Sequence, residues 1–220
     1  ITHWELAGVQ PNPRISSVRQ GVDLCRRHEI ELVLAAGGGS VIDCAKTIAA
    51  GACYGGDAWD FFTRQARITR ALPVGTVLTL AATGSEMNPY AVISNEETRQ
   101  KLGTGSSALF PRFSILDPEY SFSVPAEQTA AGTVDIMSHI FEQYFSPTKG
   151  SYIQDRLAEA MLRTCIHYGP IALEQPYNYE ARANLMWTGS LALNGLLGAG
   201  KRTDWATHDI EHEISALRSE

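Results

Sequence analysis

Two pairs of polar side chains in the sequence have the spacing of metal ligands on helices. The segment TVDIMSHIFEQYF places Asp135 and His139 four positions apart, and WATHDIEHEI places His208 and His212 four positions apart. Residues with this spacing project from one face of a helix, and two such helices can enclose a divalent ion. The alternative for each pair is an ordinary hydrogen bond inside a helical core. The spacing of the apolar residues in the first segment predicts a buried helix. These residues are Val134, Ile136, Met137, Ile140, Phe141 and Phe145.

Two loops rich in small residues have the composition of a phosphate-binding site. The segment AAGGGSVID has three consecutive glycines between an apolar strand and a helix that Ser40 can cap. Glycine lets backbone N–H groups approach a pyrophosphate closely, and a helix N-terminus favours its negative charge. The segment TLAATGSE adds the hydroxyls of Thr79 and Thr83 after another strand. Because the glycines match neither dinucleotide-binding nor P-loop consensus, a plain strand-to-helix turn is the alternative.

The secondary structure expected around these residues changes along the chain from mixed strands and helices to helices. Up to about residue 123, strands in ELVLAAGGGS, ALPVGTVLTLAA and FSILDPEY alternate with helical patterns in SSVRQGVDLCRRHEI and VIDCAKTIAAGA. Beyond it every segment has helical periodicity; Pro125 suits the first position of a helix, and Pro170 is expected to end one. We therefore predict an α/β domain over residues 1–123 and an all-helical domain over residues 124–220.

The composition restricts the class of partner. The chain has 220 residues, of which 44% are hydrophobic and 19% charged, as in ordinary globular proteins. A net charge of −6, a pI of about 5.5 and the lack of a dense Lys/Arg cluster argue against nucleic acid and anionic membranes as partners. Without a long apolar run or a leader-like N-terminus, a cytoplasmic protein is expected. The four cysteines are expected to be buried free thiols.

Seven short segments, spread over the whole chain, match the motifs of one known family in family order. They are PNP, GGGSVIDCAKTIA, TLAATGSEMN, ILDP, GTVDIMSHIFEQY, IHYGPIALE and DWATHDIEHEISA. On these segments the chain resembles the iron-containing, or group III, alcohol dehydrogenases, especially their butanol dehydrogenase-like branch. The resemblance implies an N-terminal Rossmann-like nucleotide-binding domain and an all-α metal-binding domain, the two-domain plan of dehydroquinate synthase-like proteins, with the active site between them.

The resemblance also implies a nicotinamide cofactor, NAD or NADP. The residues expected to bind it are Gly38, Gly39 and Ser40 on the pyrophosphate, Thr79 and Thr83 in the second loop, and Lys101 in RQKLG.

The resemblance further implies one divalent metal ion, which could be Fe, Zn, Mn or Co. The family ligands correspond to Asp135, His139 and His208, and the family has a further histidine ligand at a position beyond Glu220. We therefore expect the chain to lack both ends of the family region, so that both domains are incomplete. His212 is expected to relay a proton or to orient another group, because an imidazole exchanges protons near neutral pH.

The activity implied by the resemblance is hydride transfer between the nicotinamide and a short-chain alcohol or aldehyde, in a homodimer. Three alternatives remain. His208, Glu211 and His212 spell H-x-x-E-H, the motif of inverted-zincin metallopeptidases. Dehydroquinate synthase and glycerol dehydrogenase-like proteins share the fold but differ in reaction. The chain could also be a non-catalytic fragment of the dehydrogenase family.

Overall fold

The computed structural model describes residues 2–218, which divide into two compact units. The α/β unit comprises the chain up to Thr76, Pro89–Ser114 and the residues from Ile210 onward. The helical unit comprises Val77–Asn88 and Ile115–Asp209. Both units are discontinuous in sequence, whereas the predicted domains are continuous, so the boundary at residues 123 and 124 stays a prediction.

Within residues 2–218, five strands form two sheets. In chain order they are β1 (Val33–Gly37), β2 (Val74–Leu78), β3 (Tyr90–Asn95), β4 (Gln100–Gly105) and β5 (Phe113–Ile115). Three strands pair in the order β1-β2-β5, and all three are among the strands that the sequence predicts. β3 and β4 form an antiparallel hairpin in which Ile93 is opposite Leu102. The sequence patterns do not predict this hairpin, since β4 is polar, contains two glycines and has no buried residue.

The first two helices, α1 (Ile15–Arg27) and α2 (Gly39–Ala52), contribute to the core of the α/β unit together with residues such as Trp59 and Ile93. A Cβ atom at Gly21 would lie 2.3 Å from Cδ1 of Ile48, and one at Gly51 would lie 2.6 Å from Cγ2 of Val22. The two glycines therefore allow the helices to approach closely enough to bury the isoleucine and valine side chains. All four cysteines are free, and Cys25, Cys44 and Cys165 are buried, as predicted, while Cys53 is half-buried.

Four helices follow, and they are α3 (Ala126–Tyr144), α4 (Tyr152–Glu174), α5 (Tyr179–Ala192) and α6 (Ala206–Arg218). Ile136 and Ile140 of α3 are fully buried against residues of α4 and α5. Val134 is 64% exposed and Phe145 is 74% exposed, so the prediction that the whole apolar set is buried was wrong for these two. Val134 lies on another face of the helix than the isoleucine pair, and Phe145 is the C-cap residue that follows the helix. Among the described residues, no helix has the length and apolar character needed to cross a membrane.

The starts of α2 and α3 differ slightly from the sequence prediction. Gly38 is the N-cap of α2, with extended backbone angles of φ −84° and ψ −170°, and the helix begins at Gly39. The Gly38 carbonyl already accepts the N–H groups of residues 41 and 42 at 3.1 Å, so Ser40 lies inside the first turn and not at the cap. Pro125 is the N-cap of α3 and not its first residue.

Helix α4 continues through Pro170, contrary to the prediction that this residue ends it. Proline has no N–H group to donate to the carbonyl of Ile166, and this loss normally disfavours a helix interior. The helix nevertheless extends to Glu174, with Gly169 and Ala172 buried in the helical core. Packing of the last turn therefore outweighs the local preference for a helix end.

Gly132 of α3 packs directly against the loop that follows β2. A Cβ atom here would lie 2.5 Å from the carbonyl oxygen of Ala81 and 3.4 Å from Cβ of Ala82. Because the nearest atom belongs to the backbone, it cannot move as readily as the end of a flexible side chain. This glycine therefore sets how closely α3, which carries Asp135, approaches the loop.

We expect Gly132→Ala to lower the free energy of unfolding by about 1–2 kcal/mol, since overpacking outweighs the helix preference of alanine. The measurement is urea unfolding followed by circular dichroism. The matched control is Gly189→Ala on α5, where a Cβ atom would meet the flexible Cδ1 end of Ile136 at 3.2 Å. A Gly132 variant as stable as the Gly189 variant would contradict the close packing of α3 on the loop.

Candidate metal centre and nucleotide-binding loops

Three polar side chains converge in the helical unit. Asp135 and His139 extend from α3 and His208 from α6, with one potential ligand atom of each lying within 4.8 Å of the others. His208 Nε2 is 3.6 Å from Asp135 Oδ1, and His139 Nδ1 is 3.9 Å from Asp135 Oδ2. The two imidazole rings stack with centroids 4.4 Å apart. The structure thus brings together the three side chains that the resemblance identifies as metal ligands.

The chemistry of this cluster fits a divalent metal ion. One carboxylate oxygen and two imidazole nitrogens form a donor set that Fe, Zn, Mn and Co all accept. His139 is only 5% exposed, and its buried Nδ1 has no hydrogen-bond partner among residues 2–218. A buried polar atom without a partner costs free energy, and coordination of an ion would remove that cost.

Glu142 is a further polar residue of the centre, and it is not among the residues that the sequence predicts for this site. Its Oε1 accepts the backbone N–H of Thr207 at 2.7 Å, and its Oε2 makes a short contact with Nδ1 of His208. With Nδ1 directed at Glu142, Nε2 of His208 is directed at Asp135. A carboxylate behind a histidine fixes the tautomer and raises the basicity of a metal-binding imidazole. In the sequence, the feature that could have indicated this role is the position of Glu142 about one helical turn after His139. Many glutamates that have no such role occupy a similar position on a helix.

The two histidines of the centre have opposite electrostatic surroundings. Burial lowers the pKa of His139, and the opposing effect of the Asp135 charge does not cancel it. Burial also disfavours the charged form of His208, but hydrogen bonds with Asp135 and Glu142 outweigh it and raise the pKa. In the metal-free protein, the proton is therefore held on His208 in preference to His139.

We expect NMR titration of the metal-free protein to show His139 titrating below the ordinary histidine value and His208 above it. The His208 contribution to stability is present at low pH and is lost as the pH rises through its raised pKa. The contribution of neutral His139 to stability is present at high pH and is lost as the pH falls. The pKa of this residue is higher in the unfolded chain, so the unfolded chain binds the proton first. His139→Gln and His208→Gln variants assign the imidazole signals, and a reversed order of titration would contradict these surroundings.

The glycine loop opens α2 with an N-terminus that can accept an anion. Gly38 caps the helix without a side-chain hydrogen bond, and the first turn, which contains Gly39 and Ser40, has no acidic residue. The first N–H groups of a helix have no partner within it, and they carry a partial positive charge. These features fit a phosphate group at this helix end.

The second loop, with Thr79 and Thr83, lies in the helical unit directly after β2. Gly84 has φ +60°, and a Cβ atom there would lie 2.9 Å from the carbonyl oxygen of Gly189. Asn88 Nδ2 donates to the Gly84 carbonyl at 2.9 Å, and the Thr83 hydroxyl accepts the N–H of residue 85 at 3.3 Å. The two threonines are half-buried beside a tight and well-braced turn.

Lys101 and His212 lie in the α/β unit with Glu211 as a shared neighbour. Lys101 Nζ is 2.9 Å from both carboxylate oxygens of Glu211 and 3.4 Å from Oγ of Ser215. His212 Nε2 is 3.8 Å from Glu211 Oε2. A cofactor contact for Lys101 and proton relay by His212 both stay predictions.

The contacts of Glu211 disfavour the inverted-zincin alternative. That mechanism needs His208 and His212 on one ion, with the carboxylate of Glu211 free to activate water. In the described part of the chain the ligand cluster instead joins His208 to Asp135 and His139, and Lys101 binds the Glu211 carboxylate.

Two family models match the chain almost end to end. The model described as iron-containing alcohol dehydrogenase matches residues 1–118, and the C-terminal model of the Fe-containing alcohol dehydrogenase family matches residues 129–218. The chain therefore belongs to the iron-containing alcohol dehydrogenase family.

Within this family the similarity is to the butanol dehydrogenase-like branch. The chain is 59% identical over 216 residues to NADH-dependent butanol dehydrogenase A of Clostridium acetobutylicum, covering 98% of this chain and 56% of that protein. It is 46% identical over 216 residues to the NADPH-dependent aldehyde reductase YqhD of Escherichia coli, covering 97% of this chain and 56% of that protein. The chain thus spans little more than half the length of these curated relatives.

A solved structure has the same fold. The crystal structure of NADH-dependent butanol dehydrogenase A from Thermotoga maritima matches with a TM-score of 0.95 and 48% identity, covering 97% of this chain and 54% of that chain. The predicted fold class, a Rossmann-like α/β part followed by a helical part, is confirmed.

Proposed function

We propose that the protein is a metal-dependent alcohol dehydrogenase or aldehyde reductase that uses NAD or NADP. The observation that carries this proposal is the convergence of Asp135, His139 and His208 in a member of this family. The names of its relatives support the reaction class, since they include NADH-dependent butanol dehydrogenases and an NADPH-dependent aldehyde reductase. Short-chain alcohols and aldehydes are the proposed substrates.

Asp135, His139 and His208 would hold the divalent ion. When bound, the ion supplies Lewis-acid polarisation of the substrate oxygen, and the nicotinamide supplies or accepts the hydride. The charge of Asp135 offsets that of a cation, and the burial of His139 limits access of water to its side of the centre. Glu142 keeps the ring of His208 in one orientation through its contact with Nδ1.

The cofactor would be held by residues on both glycine-containing loops. We propose that Gly38, Gly39 and Ser40 bind the pyrophosphate at the start of α2, where the helix end carries no side-chain cap. Thr79 and Thr83 would contact the cofactor from the second loop. Further predictions concern the domains, which are a nucleotide-binding domain over residues 1–123 and a metal-binding domain over residues 124–220. We also predict proton relay by His212, a homodimer and a cytoplasmic location.

We expect the protein to oxidise NADH or NADPH in the presence of butanal, and to lose this activity when a chelator removes the metal. Adding back Fe²⁺, Zn²⁺, Mn²⁺ or Co²⁺ separately should restore turnover with at least one ion. The measurement is the absorbance of the reduced nicotinamide, with metal content determined on the same sample. If no ion restored turnover with either cofactor, the proposed function would be wrong.

The control for this experiment is Glu211→Gln. A peptidase would lose its water-activating carboxylate and all activity, whereas the proposed dehydrogenase loses only the ion pair between Lys101 and the exposed Glu211 carboxylate. Such pairs contribute about 0–1 kcal/mol to stability, so aldehyde reduction should change little.

We expect Glu142→Gln to weaken metal affinity about 10–100-fold, because glutamine has one oxygen acceptor for two donors, the Thr207 N–H and the His208 Nδ1–H. The measurement is titration with Co²⁺ followed by its absorption spectrum, which does not depend on turnover. The matched control is Glu159→Gln on α4, whose carboxylate accepts the Tyr144 hydroxyl at 2.9 Å. Equal Co²⁺ affinity in the two variants would exclude an orienting role for Glu142.

A further inference from the structure

A cavity in the helical unit, with a largely apolar lining that includes a few polar side chains, lies among residues that the proposed metal centre does not use. Its walls come from α3, α5, the loop after β2 and the chain around Ser121, and it encloses about 290 Å³ including its open mouth. Exposed Gln128 lies at the mouth, and buried Arg182, Thr129 and Thr133 lie inside. The innermost space admits about one water molecule or one ion of similar size.

Arg182 carries a buried charge without a matching negative charge. The residue is 5% exposed; its Nε donates to the Pro176 carbonyl at 3.0 Å and its Nη1 to the Thr129 hydroxyl at 2.8 Å. Its buried Nη2 has no hydrogen-bond partner, and no ion pair among residues 2–218 includes this guanidinium. Burial lowers the pKa of Arg182, but a guanidinium stays charged at neutral pH, so the charge remains uncompensated.

The hydroxyl groups around Arg182 show which kind of ligand would complete the site. Thr133 donates its proton to the Thr129 carbonyl at 2.8 Å, and Ser121 donates its proton to the Pro118 carbonyl at 2.6 Å. The Thr129 hydroxyl accepts from Arg182 and keeps its own proton for another acceptor. Arg182 Nη2 and Thr129 Oγ1 therefore each have a proton that a bound hydrogen-bond acceptor could receive.

The start of α3 adds a partial positive charge to the same cavity. The helix begins at Ala126 without a side-chain cap, and Gln128, in its first turn, lines the cavity. The first N–H groups of a helix attract anions. Glu127 belongs to the same turn, but it is exposed and does not line the cavity.

We propose that this cavity binds a small monovalent anion of halide size, such as chloride, between Arg182 and the start of α3. A water molecule could accept the same hydrogen bonds, but it would leave the guanidinium charge without compensation. The innermost space fits a single ion of this size. The bound anion would tie α5 to α3, and the site is independent of the proposed dehydrogenase activity.

The decisive experiment is a crystal structure of the protein in bromide, with diffraction data collected at the bromine absorption edge. We expect an anomalous peak within hydrogen-bonding distance of Arg182 Nη2. A water molecule at this position without anomalous signal would overturn the proposal. Because this experiment uses the unmodified protein, it does not depend on whether any variant folds.

The second measurement is thermal unfolding of chelator-treated protein in chloride and in gluconate at equal ionic strength. A saturated site should raise Tm in chloride by about 5 °C relative to gluconate. Thr129→Val, which lacks the donor hydroxyl, should lose this difference, and the control Thr129→Ser, which keeps the hydroxyl, should retain it. Equal Tm values in the two salts, or a chloride effect that persists in Thr129→Val, would contradict the site. Because the sample contains no metal, the Tm difference tests the anion site whether or not the protein reduces aldehydes.

Discussion

The contact between the Glu142 carboxylate and His208 is the interaction on which the candidate metal centre depends. Asp135 and His139 are neighbours through helical geometry alone, but His208 reaches them from a helix that begins more than sixty residues later in the sequence. Glu142 binds both the backbone at Thr207 and the His208 ring. It thereby fixes the start of α6 on α3 and directs Nε2 of His208 to the other ligands.

Close packing inside the helical unit supports this arrangement. Ile136 and Ile140 bury one face of α3 against its neighbours, while Gly132 brings the helix against the loop after β2. Asp135 and His139 are consequently held on a helix that is fixed on two sides. Side chains placed on packed helices keep their ligand geometry better than side chains on mobile loops.

The same unit carries a buried charge whose environment differs from that of the metal centre. Asp135 and Glu142 favour a cation, whereas Arg182 and the start of α3 favour an anion. Both proposed sites use α3, with the anion site near its beginning and the metal centre on its middle and later turns. In an anion-bound, metal-bound protein this helix would be restrained at two positions along its length.

Local patterns predicted the parts of this protein that depend on neighbouring residues. Spacing of four positions predicted that Asp135 and His139 share a face, and apolar runs predicted β1, β2 and β5. Local patterns failed where packing decided the outcome. Helix α4 passes through Pro170, where Gly169 and Ala172 are buried in the helical core, and β3 and β4 pair although β4 has little strand character.

The sequence by itself determined the family, the fold class and the types of residue available as ligands. Only the tertiary structure decided which polar groups meet. Glu142 and Arg182 occupy ordinary positions in helical patterns, and their partners, Thr207 and His208 for one and Thr129 for the other, lie on different helices. A hydrogen bond or an unpaired charge is a property of atoms in contact, and such contacts between distant residues leave no periodic signal in the chain.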